Sequence, residues 1–460
     1  MLNKLLDRLK NISASRIILL GFLSVIFIGS ILLSLPIATK SGEATPYVDA
    51  LFTATTSVCV TGLVTVNTLA HWSFFGHIVI LLLIQFGGLG FVAVLTAMIL
   101  ALGKKVSLKE RILIQEAYSF NKLSGMVNFI KKVLIGTLTV EAIGAIFYMF
   151  QFIPELGVAR GIWVSIFNAI SAFCNAGIDI IGEYSLVPYV HNPPINIVTM
   201  VLIVSGGIGF TVWWDLIRVG KLVKEKKIPL KKMLSRLTLH SKIVLTTTIS
   251  LIIGGAIFIF VLEYNNTGTI GTFSFLDKIQ ASFFQSVTLR TAGFATLPQE
   301  NLRDGTSLIC IILMFIGGSP VGTAGGIKTV TIAVLFATVM SVVRGSKSVV
   351  IYNRRVSGEI VKKSLAIICI TLFLLLSATI ILNITEARAD FMTCFYEVAS
   401  ALGTVGLSKN LTPYLTTIGK IIIICTMYMG RVGPITMAVG FHVKNKKTLV
   451  EFPEEDLLVG

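Results

Sequence analysis

The chain has 460 residues, of which 54% are hydrophobic and only 13% charged, and its formal net charge is +16. An average soluble domain carries about 25% charged residues, so a soluble fold of this length is excluded: it could not hide so much apolar surface. Positive charge of that size would suggest nucleic acid in a soluble protein. Here the basic residues cluster between apolar runs, and that class is excluded too.

In chain order, residues 1–15 form a basic segment with Lys4, Arg8 and Lys10. A run at 16–38 follows, uncharged after Arg16, and about 20 apolar residues suffice to cross a hydrocarbon core of about 30 Å. A signal peptide is the competing reading. The run is longer than an h-region of roughly 7–15 residues and no clear small-x-small site follows, so a first anchored helix is expected. The segment from Tyr47 to Ser57 is too short to span and suits a re-entrant half-helix. A polar string with Val60, Thr61 and Gly62 comes next, then a second run at 74–102 marked by Gly87 and Gly88.

The unit recurs. After a basic loop at 103–125, residues 126–219 hold a run at 126–152, a string with Asn175, Ala176 and Gly177, and a run at 195–219 with Gly206 and Gly207. A loop at 220–241 leads to residues 242–341. These hold a run at 242–263, the string Thr291, Ala292 and Gly293, and a run at 306–341 with Gly317 and Gly318. A loop at 342–362 leads to residues 363–442, with a run at 363–384, the string Thr404, Val405 and Gly406, and a run at 415–442 with Gly430 and Gly433. The tail is 443–460. The string glycines stand 115, 116 and 113 positions apart, and an aromatic residue precedes each by ten: Phe52, Phe167, Phe283 and Tyr396.

Residues 1–16, 103–132, 218–242, 342–363 and 444–447 together hold 29 of the 39 Lys and Arg residues. Positive charge gathers on the cytoplasmic side. Both termini and all three loops are therefore expected there, in a plasma-membrane protein. Each unit then crosses twice and ends where it began. The expected fold is all-α: four tandem helix–pore loop–helix repeats, eight spanning helices and a pseudo-fourfold pore.

Non-helical backbone at membrane depth is tolerated only when buried in protein or lining a wet cavity. Four such strings imply four loops around one axis. Glycine permits backbone angles that aim carbonyls at an ion, and rings of carbonyl oxygens replace the hydration shell of potassium. The preceding half-helix would point its partly negative C-terminal end at the pore. No acidic residue lies in the strings, although Asp179 follows Gly177, so selection by a carboxylate ring is not expected. Packing glycines are the plain alternative for any single string, but four in register favour a filter.

Within 317–326 stand five glycines (Gly317, Gly318, Gly322, Gly325, Gly326) with Ser319 and Pro320, and that composition cannot sustain a helix. Gly322 to Thr329 resembles a phosphate-binding loop. Ile327 replaces its second glycine, and the stretch lies in an apolar run with no strand before it. No enzyme activity is expected. The six cysteines show no C-x-x-C spacing and are expected as buried thiols; the five histidines show no metal-ligand spacing. A secondary transporter with broken helices, moving another monovalent cation with sodium or protons, is the main alternative. It usually shows two repeats. A receptor role lacks any sizeable region outside the membrane.

These strings, V-T-G-L, N-A-G-I, T-A-G-F and T-V-G-L, and the glycine-rich third unit resemble the Trk/Ktr/HKT superfamily of potassium transporters. The likeness is strongest to the membrane subunit of bacterial Ktr systems and covers nearly the whole chain. It implies potassium bound at Gly62, Gly177, Gly293 and Gly406, and no other cofactor in this chain. A glycine at position 62, where some plant members with sodium preference carry serine, points to potassium. The resemblance makes 317–326, with Lys328, a gating loop and sets Arg431 against it. An intramembrane arginine is a functional candidate by default; a structural charge bonded to loop carbonyls is the plain alternative. Lys328 could instead snorkel to the cytoplasmic side, and Arg290 could brace a filter loop. The resemblance further implies a homodimer on a ring of soluble nucleotide-binding subunits, which the basic loops and residues 444–460 would contact. Anionic lipid is the alternative for those loops. Coupling to, or stimulation by, sodium stays open.

Overall fold

The computed structural model describes residues 14–102, 106–117, 125–226, 229, 233–433 and 455. Four times the chain runs as long helix, short helix, extended string and second helix. The long helices are Ala14–Ser34, Met126–Leu156, Leu239–Glu263 and Gly358–Thr385. The last two start at Thr238 and Ser357, whose side-chain oxygens accept from the Ser241 and Ile360 amides and so satisfy donors left open at a helix start. Ile135, Leu138 and Phe150 stand exposed along the second long helix. Apolar exposure on that scale suits a face turned to lipid.

The short helices are Tyr47–Cys59, Val158–Cys174, Phe275–Thr288 and Phe391–Gly403. Each packs back on the long helix before it. Val158–Cys174 turns back at Gly157, whose φ is 82°. A β-carbon on Gly161 would stand 2.7 Å from the Phe152 carbonyl oxygen, so the two helices can close only over a glycine. The third and fourth short helices are capped by Ser274 and Asp390, which accept from the Asp277 and Thr393 amides.

In the first two units the second helices depart from the single runs expected of them, whereas the third breaks where its glycines and proline predict. Phe74–Leu89 and Phe91–Ala101 meet at 102°. Pro193–Gly207 and Phe210–Lys226 meet at 98°. The breaks fall at Gly90 (φ 84°) and Gly209 (φ 89°), a conformation open to glycine because it lacks a β-carbon. In the third unit the run divides into Asp304–Phe315 and Thr329–Val343 around the 316–328 loop. The fourth, Thr417–Val432, stops at Gly433. Among the described residues, four helices are long and apolar enough to cross a membrane, or six if each bent pair counts once. One two-stranded hairpin, Val350–Ile351 with Arg354–Arg355, lies before the fourth long helix. The basic N-terminal segment through residue 13 and the 434–454 stretch lie outside the described residues.

One buried core joins all four units and contains Phe52, Phe167, Phe284 and Tyr396. The third aromatic is thus Phe284 and not the expected Phe283, which is exposed. Between the first and fourth units, Lys420 Nζ meets Asp49 Oδ1 at 2.6 Å.

Two buried carboxylates tie long helices to second helices. Glu263 accepts from Asn266 Nδ2 (2.6 Å), Thr269 Oγ1 (2.7 Å), the Arg303 amide (3.1 Å) and Thr306 Oγ1. Glu386 accepts from the Thr416 amide (3.0 Å) and Thr416 Oγ1 (2.6 Å). Both sit at the N-terminus of a second helix, where the helix dipole favours negative charge. Glu263→Ala strands these donors and is expected to cost about 3 kcal/mol. A melting curve in detergent checks this: Tm should fall clearly for Ala and less for Gln, which keeps an acceptor oxygen.

Candidate functional site

The four short helices end on the four strings. The Thr61 amide donates to the Thr56 carbonyl, Ala176 to Ser171 and Val405 to Ser400, each at 2.8 Å and five residues back. In the third unit Ala292 bonds only four residues back, to Thr288, at 3.0 Å. That one-residue difference in the turn shifts the register of the third short helix. It explains why Phe284 takes the place that spacing alone assigns to Phe283. It also moves the hydroxyl: Thr56 and Ser400 accept from the Gly62 (2.9 Å) and Gly406 (3.0 Å) amides, whereas Thr288 Oγ1 donates to the Phe294 carbonyl at 2.7 Å.

Every string carries two left-handed residues around one ordinary residue. The first of each pair is Val60 (φ 55°), Asn175 (61°), Thr291 (64°) or Thr404 (52°); the second is Gly62 (100°), Gly177 (64°), Gly293 (81°) or Gly406 (99°). For the β-branched members this costs roughly 1–2 kcal/mol per residue, so the surroundings must hold them there. The strings close a circuit in chain order. A β-carbon on Gly62 would press on the Ala176 carbonyl oxygen, on Gly177 on that of Ala292, on Gly293 on that of Val405, and on Gly406 on that of Thr61. The carbonyls of the middle residues Thr61, Ala176, Ala292 and Val405 are thereby gathered with the four glycines. All four glycines line one open cavity of about 250 Å³.

The glycine clusters of the second helices lie directly behind. A β-carbon on Gly87, Gly206 or Gly430 would collide with the carbonyl oxygen of Val58, Phe173 or Leu402, each four residues before a string glycine. These glycines are therefore required by close approach in the first, second and fourth units.

Across the other side of the ring runs the third-unit loop. The Ser319 amide donates to the Gly207 carbonyl (2.9 Å), the Thr323 amide to Gly206 (3.2 Å) and the Phe210 amide to Val321 (2.9 Å). Thr323 Oγ1 bonds Asn175 Oδ1 at 2.8 Å and the Phe173 carbonyl at 3.1 Å. Gly325 packs against Thr404, and Gly317 against Gly325 and Gly326. Gly318 lies against Ala324, Gly322 near the Gly206 carbonyl, and the Pro320 carbonyl against Gly209. Lys328 Nζ donates to the Ala324 carbonyl at 2.7 Å, turned back into the loop and not out of it. Arg290 is buried and donates to the Gly317 carbonyl at 3.3 Å and the Thr248 carbonyl at 3.4 Å. Arg431 donates to the carbonyls of Thr323 and Gly87, joining the loop and the fourth unit to the first. Thus the third-unit loop touches or is tied to all the others.

Three features escape a reading of spacing. Asn175 uses its side chain to hold the loop as well as its backbone in the string. Asp179, Glu183 and Glu300 line the cavity over the glycines, although none belongs to a string. Cys369 and Cys425 are exposed, against the expectation of buried thiols, while the other four cysteines are buried and all six are free. Among the described residues no group of acidic, histidine and cysteine side chains could hold a metal ion.

Residues 13–450 match the family TrkH, described as cation transport protein. The chain is 39% identical to Ktr system potassium uptake protein B of Bacillus subtilis (strain 168), over 97% of this chain and 96% of that one. It is 38% identical to the potassium/sodium uptake protein NtpJ of Enterococcus hirae, over 98% of each. The crystal structure of the potassium transporter TrkH from Vibrio parahaemolyticus superposes with a TM-score of 0.71 at 17% identity, over 92% of this chain and 84% of that one; it speaks for the fold alone. With the family model matched over residues 13–450 and these relatives similar over nearly their full length, the chain belongs to the TrkH family of cation transport proteins.

Proposed function

We propose that this protein carries potassium into the cell across the plasma membrane. One observation carries the reading. Four strings with left-handed residues and glycines close a ring of backbone carbonyls at the floor of one cavity. Carbonyl oxygens can replace the water around potassium, and the C-terminal ends of four short helices add negative potential there. The carboxylates of Asp179, Glu183 and Glu300 over the ring favour cations electrostatically.

In this reading the filter is Val60–Gly62, Asn175–Gly177, Thr291–Gly293 and Thr404–Gly406, and the 317–326 loop with Lys328 and Arg431 forms the gate. Four repeats cross the membrane eight times, with the bent second helices each counted as one crossing. The repeats occupy 16–102, 126–219, 242–341 and 363–442, and the basic loops and both termini face the cytoplasm. Relatives named as parts of Ktr systems support a soluble partner subunit, nucleotide-binding by resemblance, under a homodimer. No cofactor other than the transported ion is assigned to the chain.

Expression in a bacterium lacking potassium uptake tests this. Growth on low potassium and saturable rubidium uptake are expected, stronger when the soluble subunit is co-expressed. Membrane insertion without rescue or rubidium uptake under any condition would move the assignment to another monovalent cation.

A further inference from the structure

The register shift of the third unit uncovers a correspondence that spacing hides. One residue after each buried aromatic stands a buried polar side chain: Thr53 after Phe52, Asn168 after Phe167, Gln285 after Phe284 and Glu397 after Tyr396. In the third and fourth units this side chain reaches the residue six places beyond the string glycine. Gln285 Nε2 donates to Gln299 Oε1 at 2.6 Å, and Gln299 Nε2 returns to Gln285 Oε1 at 3.2 Å. Thr412 Oγ1 donates to Glu397 Oε1. Tyr396 Oη joins the two pairs by donating to Gln299 Oε1 at 2.9 Å. Gln299 itself lines the cavity over the ring, as does Ser408, which lies 3.5 Å from Thr412 Oγ1.

Glu397 is fully buried, makes no ion pair among the described residues, and its Oε2 has no hydrogen-bond partner there. A carboxyl group in that setting is costly unless it is hydrogen-bonded. Its bonds to Thr412, with Ser408 alongside, hold the segment that leaves the fourth string. Moving that segment would move Gly406, which abuts Gly62 and the Thr61 carbonyl.

We propose that Glu397 is a specificity-determining positioning residue: with Thr412, and joined through Tyr396 to the Gln285–Gln299 pair, it clamps the outgoing ends of the third and fourth strings and so sets the spacing of the carbonyl ring. The clamp acts through geometry and touches no ion. It rests on the potassium-filter reading above.

The test is uptake of rubidium against sodium by the full chain in the uptake-deficient bacterium, normalised to membrane abundance. Glu397→Val and Thr412→Val are each expected to lower the rubidium-to-sodium ratio about tenfold, the worth of about 1.4 kcal/mol. The double variant should be no worse than Glu397→Val alone, because both changes remove the same bond from the Thr412 hydroxyl. Glu397→Gln keeps an acceptor for Thr412 and should stay within about threefold of wild type. Wild-type ratios in the inserted Thr412→Val protein would overturn the clamp, as would additive losses in the double variant or Glu397→Gln as poor as Val. Failure of the wild-type protein to take up rubidium would instead overturn the functional reading itself.

Discussion

Gly62→Ser is expected to reduce discrimination between potassium and sodium about tenfold or more, measured as rubidium uptake in competition with sodium. Gly62 has a φ of 100°, and a β-carbon there would stand 2.6 Å from the Ala176 carbonyl oxygen. A serine must therefore either strain its own backbone, at roughly 1–2 kcal/mol, or push the second string away. Each route disturbs a ring oxygen, and every 1.4 kcal/mol lost from the preference for one ion is tenfold in the ratio. The serine hydroxyl adds a ligand of its own beside the displaced carbonyl. Abundance at the membrane should change little, because the change is local to the ring. Unaltered selectivity in an inserted Gly62→Ser protein would remove Gly62 from the filter.

Arg431→Ala should raise flux about tenfold or more. Arg431 holds the loop at the Thr323 carbonyl and the first unit at the Gly87 carbonyl. Hydrogen bonds from a charged donor are worth about 1.5–3 kcal/mol each, and losing even one shifts a closed–open equilibrium by at least about tenfold. The guanidinium also places a positive charge beside the loop, which in the proposed pathway would repel a permeating cation. Removing it lowers the barrier on both counts. Arg431→Lys keeps the charge but lacks the rigid fork that serves two carbonyls, so intermediate flux is expected. Deleting 317–326 should raise flux too. It is the less clean test, because the Gly206 and Gly207 carbonyls lose the amides of Ser319 and Thr323. Rubidium flux into vesicles holding purified protein measures all three. Unchanged flux in a folded Arg431→Ala protein would leave this arginine a structural brace.

Residue by residue, the fold and the site were unevenly legible. The long helices at 126–156 and 239–263 fall within a few residues of the apolar runs, because length and hydropathy alone decide what can cross a hydrocarbon core. The glycines at 62, 177, 293 and 406 stood out by period and do converge on one cavity. What they need from their neighbours did not stand out. Val60, Thr291 and Thr404 are poor candidates for left-handed backbone by residue type, yet adopt it beside the ring.

Composition and the period of about 115 residues thus determined, from the sequence by itself, a membrane chain of four related units and the four strings at which helix fails. Those properties are local, or repeat along the chain. Tertiary structure alone decided the rest. It set the sharp breaks at Gly90 and Gly209, the one-residue slip that makes Phe284 the core aromatic, and the turn of Lys328 back into its own loop. It also decided the reach of Arg431 to two other units and the tie from Glu397 to Thr412. Each depends on which backbone carbonyl or side chain of a distant segment comes within bonding distance, and spacing along a chain does not encode that.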